Sequence, residues 1–397
     1  MNPSFEHQSQ SLSWQADSFT GPTDYSVYLD DADRAELMAL VTRWQARVAS
    51  RSEHSSAAPA ASKAPTSAAQ STVTIESMTA ADLALGDGTA SKALAAKLAK
   101  AASQVKSGLG FVVLHGLPTE AIDLQQYTTA VWAIGQHFGE PISQNASGDR
   151  LTYVIDATAV DPTPRMYRSN LELRPHTDIT AMISLAGWNL GESGGATVLA
   201  SGVRVHDVIR ERAPHLLERL YAGYHYHRLG EEGEGEQPTT ESRVPVFSNR
   251  NGQISVRYLR TGIAAGHSAR GLPLSADDLE ALNYFDSVST APENRLAFFL
   301  ERGEMIVVNN YAVMHARTRF VNNPQPGKER RLVRLWLDQA GFRDVPPEFN
   351  FYRTNGVPKA EGKRANFDFK KLYASDPLAT GGMPDMKVSD ADLARSR

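Results

Sequence analysis

The chain has no cysteine among its 397 residues. Disulfides, a thiolate nucleophile, and cysteine-ligated zinc or iron–sulfur centres are therefore excluded. Long apolar runs are missing as well: none approaches the roughly 18 residues that would suggest a membrane-spanning helix. The opening stretch MNPSFEHQSQSLSWQ lacks the apolar centre of a secretory signal, so a cytoplasmic location is the expectation. Charge of one sign is scarce, with a formal net value of −4, so no broad basic field favours nucleic acid or an anionic membrane surface. A small molecule is the expected partner, and a homo-oligomer stays open. The chain is 41% hydrophobic and 22% charged, the balance of an ordinary globular protein.

Residues 1–71 read as an appendage. Apolar residues recur at helical spacing behind acidic starts in DDADRAELMALVTRWQARVAS (30–50), which predicts a helix. The Ala/Ser/Pro-rich stretch SSAAPAASKAPTSAAQS (55–71) has almost nothing large to bury and reads as a flexible linker. On that division the first ~70 residues are dispensable for chemistry. A core domain follows over 72–376, and a tail over 377–397. A helix is expected at 89–106. From Gly110 the texture turns β-rich, with strands at 110–117, 150–156, 176–188, 224–229 and 244–259, the last folded at Asn251-Gly252. Helices are expected at 124–139, at 203–223 with a break near Pro214, and at 274–288 behind a Ser275–Asp278 capping box. Three more short strands close the domain. Many short strands with helices between them suggest a mainly β fold: a jelly roll, or cupin-like double-stranded β-helix, with flanking helices.

Within that fold RPHTDIT (174–180) sets His176 and Asp178 two apart. On a strand such residues share one face, so an imidazole and a carboxylate could take two neighbouring positions on a divalent metal. A simple His–Asp hydrogen bond is the plainer reading of the pair alone. A third ligand must come from another strand, and His315 in GEMIVVNNYAVMHARTRF meets that requirement if a late strand returns beside the first. Two histidines and one carboxylate with open positions suit non-haem Fe(II), and also zinc. Fifteen residues on, RRLVRLWL (330–337) reads at period two with Arg330, Leu332, Arg334 and Trp336 on one face and Arg331, Val333, Leu335 and Leu337 on the other. Two inward guanidiniums are costly unless anions meet them, and a guanidinium fork binds a carboxylate with two parallel bonds.

HTD, GGAT, VMHAR and RRLVR, in that order, resemble the Fe(II)/2-oxoglutarate dioxygenases of the taurine/2,4-dichlorophenoxyacetate type over about residues 105–350. The resemblance implies that His176, Asp178 and His315 bind Fe(II). It further implies that Thr197 and Arg330 hold the far carboxylate of 2-oxoglutarate, and that Arg334 faces the substrate. The implied reaction consumes 2-oxoglutarate and O2, releases succinate and CO2, and oxidises an unactivated C–H bond of a small anionic or polar metabolite, with hydroxylation the foremost outcome. Asp178 argues against a halogenase, which needs that coordination position for chloride. Two other classes stay in view: a non-catalytic jelly roll that senses metal or 2-oxoglutarate, and a protein-modifying hydroxylase.

Several further residues invite a role. His225 and His227 lie on one face of the expected strand in YHYH, without a carboxylate nearby, and read as pocket-lining or structural. EEGEGE (231–236) reads as an acidic loop, a solvated lid or insertion, with gating of the site as the lesser alternative. Asn309 and Asn310 are expected to shape the turn before His315, with a reach into the pocket by one of them as the alternative. Tyr167, Ser169 and Asn170 fall where substrate contacts would lie, and the sequence does not choose among them.

Overall fold

A computed structural model describes residues 10–55, 75–86, 88–161, 165–352, 354–360 and 386–394. Most of the expected linker and of the expected C-terminal tail lies outside these residues. Two β-sheets face each other. The larger runs β1 (Ser26–Tyr28), β2 (Phe111–His115), β12 (Met305–Asn309), β6 (Met182–Asn189) and β15 (Arg331–Asp338), with β3 (Glu140–Ile142) and β4 (Leu151–Val154) both paired to β15. The smaller is fully antiparallel, in the order β11 (Arg295–Phe298), β8 (Thr197–Ser201), β13 (Val313–Arg317), β5 (Leu173–His176). Two ribbons complete the set: β7 (Ser193–Gly194) with β14 (Phe320–Val321), and β9 (Phe247–Arg250) with β10 (Gln253–Val256). This is the expected jelly roll.

Alternation along the strands decides which layer each side chain joins. Val113, Ile306, Val308, Leu332 and Trp336 enter the cluster between the sheets. Their neighbours Val112, Leu114, Val307, Val333, Leu335 and Leu337 point outward into a second cluster. That cluster is completed from α1 (Asp31–Ser55), α3 (Thr89–Ser107) and α4 (Leu124–Gly135), through Leu37, Leu94, Leu98, Tyr127 and Val131. A single-turn helix, α2 (Ala80–Leu83), lies between the first two. Over the smaller sheet pack α5 (Gly202–Arg212), α6 (Leu217–Ala222) and α8 (Ala276–Thr290), which bury Val208, Ile209, Leu220, Leu282 and Phe285. The Ser275 hydroxyl accepts from the Asp278 N–H at the start of α8, as the capping box requires. Asn251 and Gly252 take φ of 53° and 76° at the hairpin between β9 and β10.

Three expectations need correction. Residues 176–188 form no single strand: β5 stops at His176, the chain crosses from one sheet to the other, and β6 starts at Met182. The stretch 224–229 makes only isolated bridges at Tyr224 and His227, and the following α7 (Arg260–Ala269) lies against it, with the His227 N–H donating to the Gly262 carbonyl. Residues 11–55 are no appendage. Leu12, Trp14, Phe19 and Tyr25 are buried in the cluster between the sheets, with ring contacts from Trp14, Phe19 and Tyr25 to Phe111. β1 pairs in parallel with β2 at the sheet edge. A polar chain fastens it there: Ser26 Oγ lies 2.8 Å from His115 Nε2, and His115 Nδ1 lies 2.7 Å from Glu304 Oε1. The division at residue 71 therefore does not separate the N-terminal segment from the core. At the other end, Met386 packs on Val198, Ala297 and Ala316, ahead of the short α9 (Asp390–Ala394).

Candidate active site

His176 closes β5 and His315 is the central residue of β13, and the two are direct cross-strand partners. Their rings lie 4.3 Å apart, centroid to centroid. Asp178 follows two residues after β5 ends. Thr177 between them turns away, its N–H donating to the Tyr258 carbonyl at 2.8 Å and its hydroxyl accepting from the Tyr258 N–H at 3.0 Å. Both imidazole Nε2 atoms face the carboxylate, each 3.8 Å from one of its oxygens. That spacing is too long for a hydrogen bond and leaves room for an ion. The three ligand atoms lie within 4.8 Å of one another.

The surroundings prepare these groups as ligands. His176 Nδ1 sits 2.8 Å from the Arg174 carbonyl, which fixes the proton on Nδ1 and leaves the Nε2 lone pair free. Burial, assisted by the neighbouring His176, pushes the His315 imidazole down to about 3 against the pull of Asp178, so it is neutral at physiological pH. Burial alone would raise the Asp178 carboxyl. The charge on His315 when its ring is protonated, the Arg334 guanidinium, His176 and the Trp336 N–H more than offset it and hold the group below its usual value. Trp336 Nε1 donates to Asp178 Oδ2 at 2.8 Å. A neutral His315 imidazole, the His176 ring with Nε2 turned to the same point, and an ionised carboxylate thus converge, a donor set that fits Fe(II).

The Asp178 main chain is held separately. Its carbonyl accepts from Asn310 Nδ2 and Arg257 Nη1, and its N–H donates to Asn310 Oδ1 at 3.2 Å. Arg257 is itself fully buried, with the Tyr311 and Phe349 rings 5.1 and 5.5 Å from its guanidinium. Partners outside the ligand set typically contribute about 10- to 100-fold in metal affinity. Asn310→Ala should therefore lower Fe(II) affinity by about that factor while the protein stays folded, as metal titration and circular dichroism would read. Unchanged affinity would remove Asn310 from the site. Asn309, by contrast, bonds the Val105 carbonyl and the Tyr311 N–H and serves the turn.

Beyond the triad lie the arginines. Arg330 and Arg334 are both buried, and Leu332 and Trp336 beside them point between the sheets. Arg331 is half-buried and lies over Tyr153. The period-two face assignment thus describes β15. Arg330 rests against the GGAT loop, with Nη2 donating to the Gly195 carbonyl at 3.3 Å and Nη1 buried without a hydrogen-bond partner among the described residues. Gly195 has φ +75°, and a Cβ there would stand 2.8 Å from Arg330 Nε, so only glycine lets the loop approach the guanidinium. Thr197 is buried at the start of β8, opposite Arg317 of β13. Burial lowers Arg330 to about 10, and burial together with Arg330 lowers Arg317 to about 9. Both remain cations at neutral pH, so a carboxylate suits the space they border.

Arg334 Nε donates to Gln144 Oε1 at 2.7 Å, and its Nη1 is 3.8 Å from Asp178 Oδ2. Tyr167 covers the guanidinium at 4.0 Å. Of the three residues that precede β5, Tyr167 therefore reaches the site, whereas the Ser169 and Asn170 carbonyls are engaged by Arg317 and by the Phe320 N–H. His225 and His227 bond local main chain, at the Thr240 carbonyl and the Leu229 N–H, and join no metal cluster among the described residues. The acidic loop is not simply solvated: Glu231 is buried, paired with Arg165, and 3.4 Å from the Tyr352 hydroxyl. Sequence reasoning missed Arg257, Asn310 as a main-chain clamp, Gln144 and Arg317. Only Arg317 left a trace, standing two after His315 and so on the same strand face.

A jelly roll that brings two histidines and an aspartate together beside buried arginines has the layout of a non-haem iron oxygenase using an oxo-acid co-substrate. Comparison with known proteins defines it further. The family model described as "Taurine catabolism dioxygenase TauD, TfdA family" matches residues 74–336, and the chain belongs to this family of Fe(II)/2-oxoglutarate-dependent dioxygenases. FR-33289 synthase of Streptomyces rubellomurinus is 29% identical over 262 residues, which cover 64% of this chain and 77% of that protein. Taurine hydroxylase-like protein SAT17 of Stachybotrys chartarum is 24% identical over 386 residues, 92% of this chain and 88% of that one. Among solved structures, an asparagine oxygenase bound to Fe(II), 2S,3S-3-hydroxyasparagine and succinate aligns with a TM-score of 0.55 at 16% identity, covering 85% of this chain and 100% of that one. The non-heme iron oxygenase OrfP with Fe, succinate and (3S)-hydroxy-L-Arg gives 0.54 at 12% identity, over 84% and 99%. These structural likenesses support the fold. Among the described residues no helix is long and apolar enough to cross a membrane.

Proposed function

We propose that this dioxygenase hydroxylates a small metabolite carrying an anionic or strongly polar group. In this reading Fe(II) sits on His176, Asp178 and His315, 2-oxoglutarate is held by Arg330 and Thr197, and the substrate is met by Arg334. The observation that carries it is the convergence of three ligand atoms within 4.8 Å, in a fold that also buries an Arg330 nitrogen with no hydrogen-bond partner among the described residues. When bound, the iron with 2-oxoglutarate and O2 supplies C–H oxidation with release of succinate and CO2. The chain's own part is orientation. Trp336 and Asn310 fix the Asp178 side chain and backbone, and the Arg174 carbonyl fixes the His176 tautomer. Gln144 and Tyr167 hold Arg334 where it can anchor a substrate anion next to the metal.

The test is substrate-stimulated O2 consumption with succinate release across a panel of small carboxylates and their neutral amides. Stimulation by members of the anionic set, with a KM raised by about 10- to 100-fold in Arg334→Ala, is the expected result, as for loss of a charge-assisted hydrogen bond. Stimulation by neutral analogues alone, unaffected by Arg334→Ala, would contradict the assignment.

A further inference from the structure

Arg317 has no part in the reading above, and its position is unusual. It is buried on β13 two residues after His315, so the two share the face that looks between the sheets. It stands directly opposite Thr197 across the β8–β13 pair, where facing side chains have Cβ atoms about 4.5–5.5 Å apart. Its guanidinium carbon lies 4.9 Å from the Phe320 ring centroid, the same distance as that of Arg330. Two cations packed on one ring, away from water, repel each other and lack solvation. Arg317 Nη2 donates to the carbonyls of Ser169, at 2.8 Å, and Leu171, at 2.5 Å. Its Nε and Nη1 are buried with no hydrogen-bond partner among the described residues, as is Arg330 Nη1. Among the described residues, three orphaned N–H-bearing nitrogens thus lie on two guanidiniums that share the Phe320 ring, one of them on the residue directly across from Thr197 and the other against Gly195.

We propose that Arg317 is a second guanidinium for the far carboxylate of 2-oxoglutarate, and that it ties the order of the segment before β5 to co-substrate binding. One carboxylate has about four acceptor positions, enough for donors from Arg330, Arg317 and Thr197 together. The hand of Arg317 not turned to the carboxylate grips the Ser169 and Leu171 carbonyls, just after Tyr167, which stacks on Arg334. Filling the carboxylate site therefore steadies the wall from which Tyr167 meets the substrate anchor. The inference rests on the assignment of Arg330 to 2-oxoglutarate.

The experiment measures binding to the full-length protein loaded with Mn(II), which occupies the site without turnover. Two ligands are compared by calorimetry, 2-oxoglutarate and 2-oxopentanoate, which has the same carbon chain without the far carboxylate. Hydrogen exchange of residues 165–172 is followed in parallel. The expected result is that Arg317→Gln weakens 2-oxoglutarate by about 10- to 100-fold and leaves 2-oxopentanoate nearly unchanged. Arg317→Lys should recover part of the loss, and the protection that 2-oxoglutarate confers on 165–172 should vanish in Arg317→Gln. Equal weakening of both ligands would reduce Arg317 to a structural brace and overturn the proposal, as would unchanged 2-oxoglutarate affinity. Arg330→Gln separates the two levels. If it weakens 2-oxoglutarate while Arg317→Gln does not, only this inference fails; if it changes nothing, the underlying assignment fails.

Discussion

Arg330→Ala should weaken 2-oxoglutarate binding by about two to four powers of ten. Truncating one partner of a buried ion pair costs roughly 3–5 kcal/mol, because the other charge is stranded, and each tenfold change in affinity is about 1.4 kcal/mol. The carboxylate would be left with Thr197 and Arg317, across a space that the GGAT loop shapes around the Arg330 side chain. Arg331→Ala is the control. That residue lies half-buried against Tyr153 on the outward register, so its removal should leave 2-oxoglutarate affinity within a factor of a few. Both can be read by titrating 2-oxoglutarate into the anaerobic Fe(II) protein and following the visible charge-transfer band. A sensitive Arg331 beside an indifferent Arg330 would mean that the co-substrate meets the opposite face of β15.

The second large effect concerns the N-terminus. A chain beginning near residue 72 should fail to fold into a soluble, iron-binding protein. It would lose Leu12, Trp14, Phe19, Tyr25, Leu37, Leu40 and Trp44, all buried. Deleting even one large buried side chain typically costs about 2–5 kcal/mol, against a total stability of about 5–15 kcal/mol for a domain. β2 would also become an uncovered sheet edge, with His115 and Glu304 deprived of Ser26. Expression of the truncated protein with thermal melting and circular dichroism checks this. A cooperative melt near that of the full chain would show that the segment is dispensable after all.

The buried N-terminal segment and the metal-ligand triad differ in how far the sequence made them legible. The triad could be read because the cues are local: H-x-D before an apolar run, a late histidine, and an arginine pair whose face follows from period two. Trp336 belonged to that face in the sequence, yet its hydrogen bond to Asp178 depends on how β15 lies against the crossing from β5 to β6. The crossing was hidden because ITAMISLAGW continues β-like apolar patterning through it. What breaks the strand is tertiary, with Asn310 and Arg257 taking the Asp178 carbonyl. Residues 12–29 carry neither helical nor strand periodicity, since their aromatic residues are spaced to fill gaps in a barrel wall built from distant segments. Three buried aromatic residues between Trp14 and Tyr25 were nevertheless more than a solvated tail would carry. Arg317 was overlooked for a different reason: its unpaired nitrogens make sense only beside Thr197 and Phe320, which meet it through pairing between strands.

The claim on which everything else depends is that His176, Asp178 and His315 hold one Fe(II). The most direct measurement is an anaerobic Fe(II) titration of the wild-type chain alongside His315→Ala. His315 is the ligand from the distant strand, so it tests the fold and the site together. One equivalent bound tightly by the wild type, with affinity lost by orders of magnitude in the folded His315→Ala protein, is the expected result. Undiminished Fe(II) affinity in that variant would contradict the account.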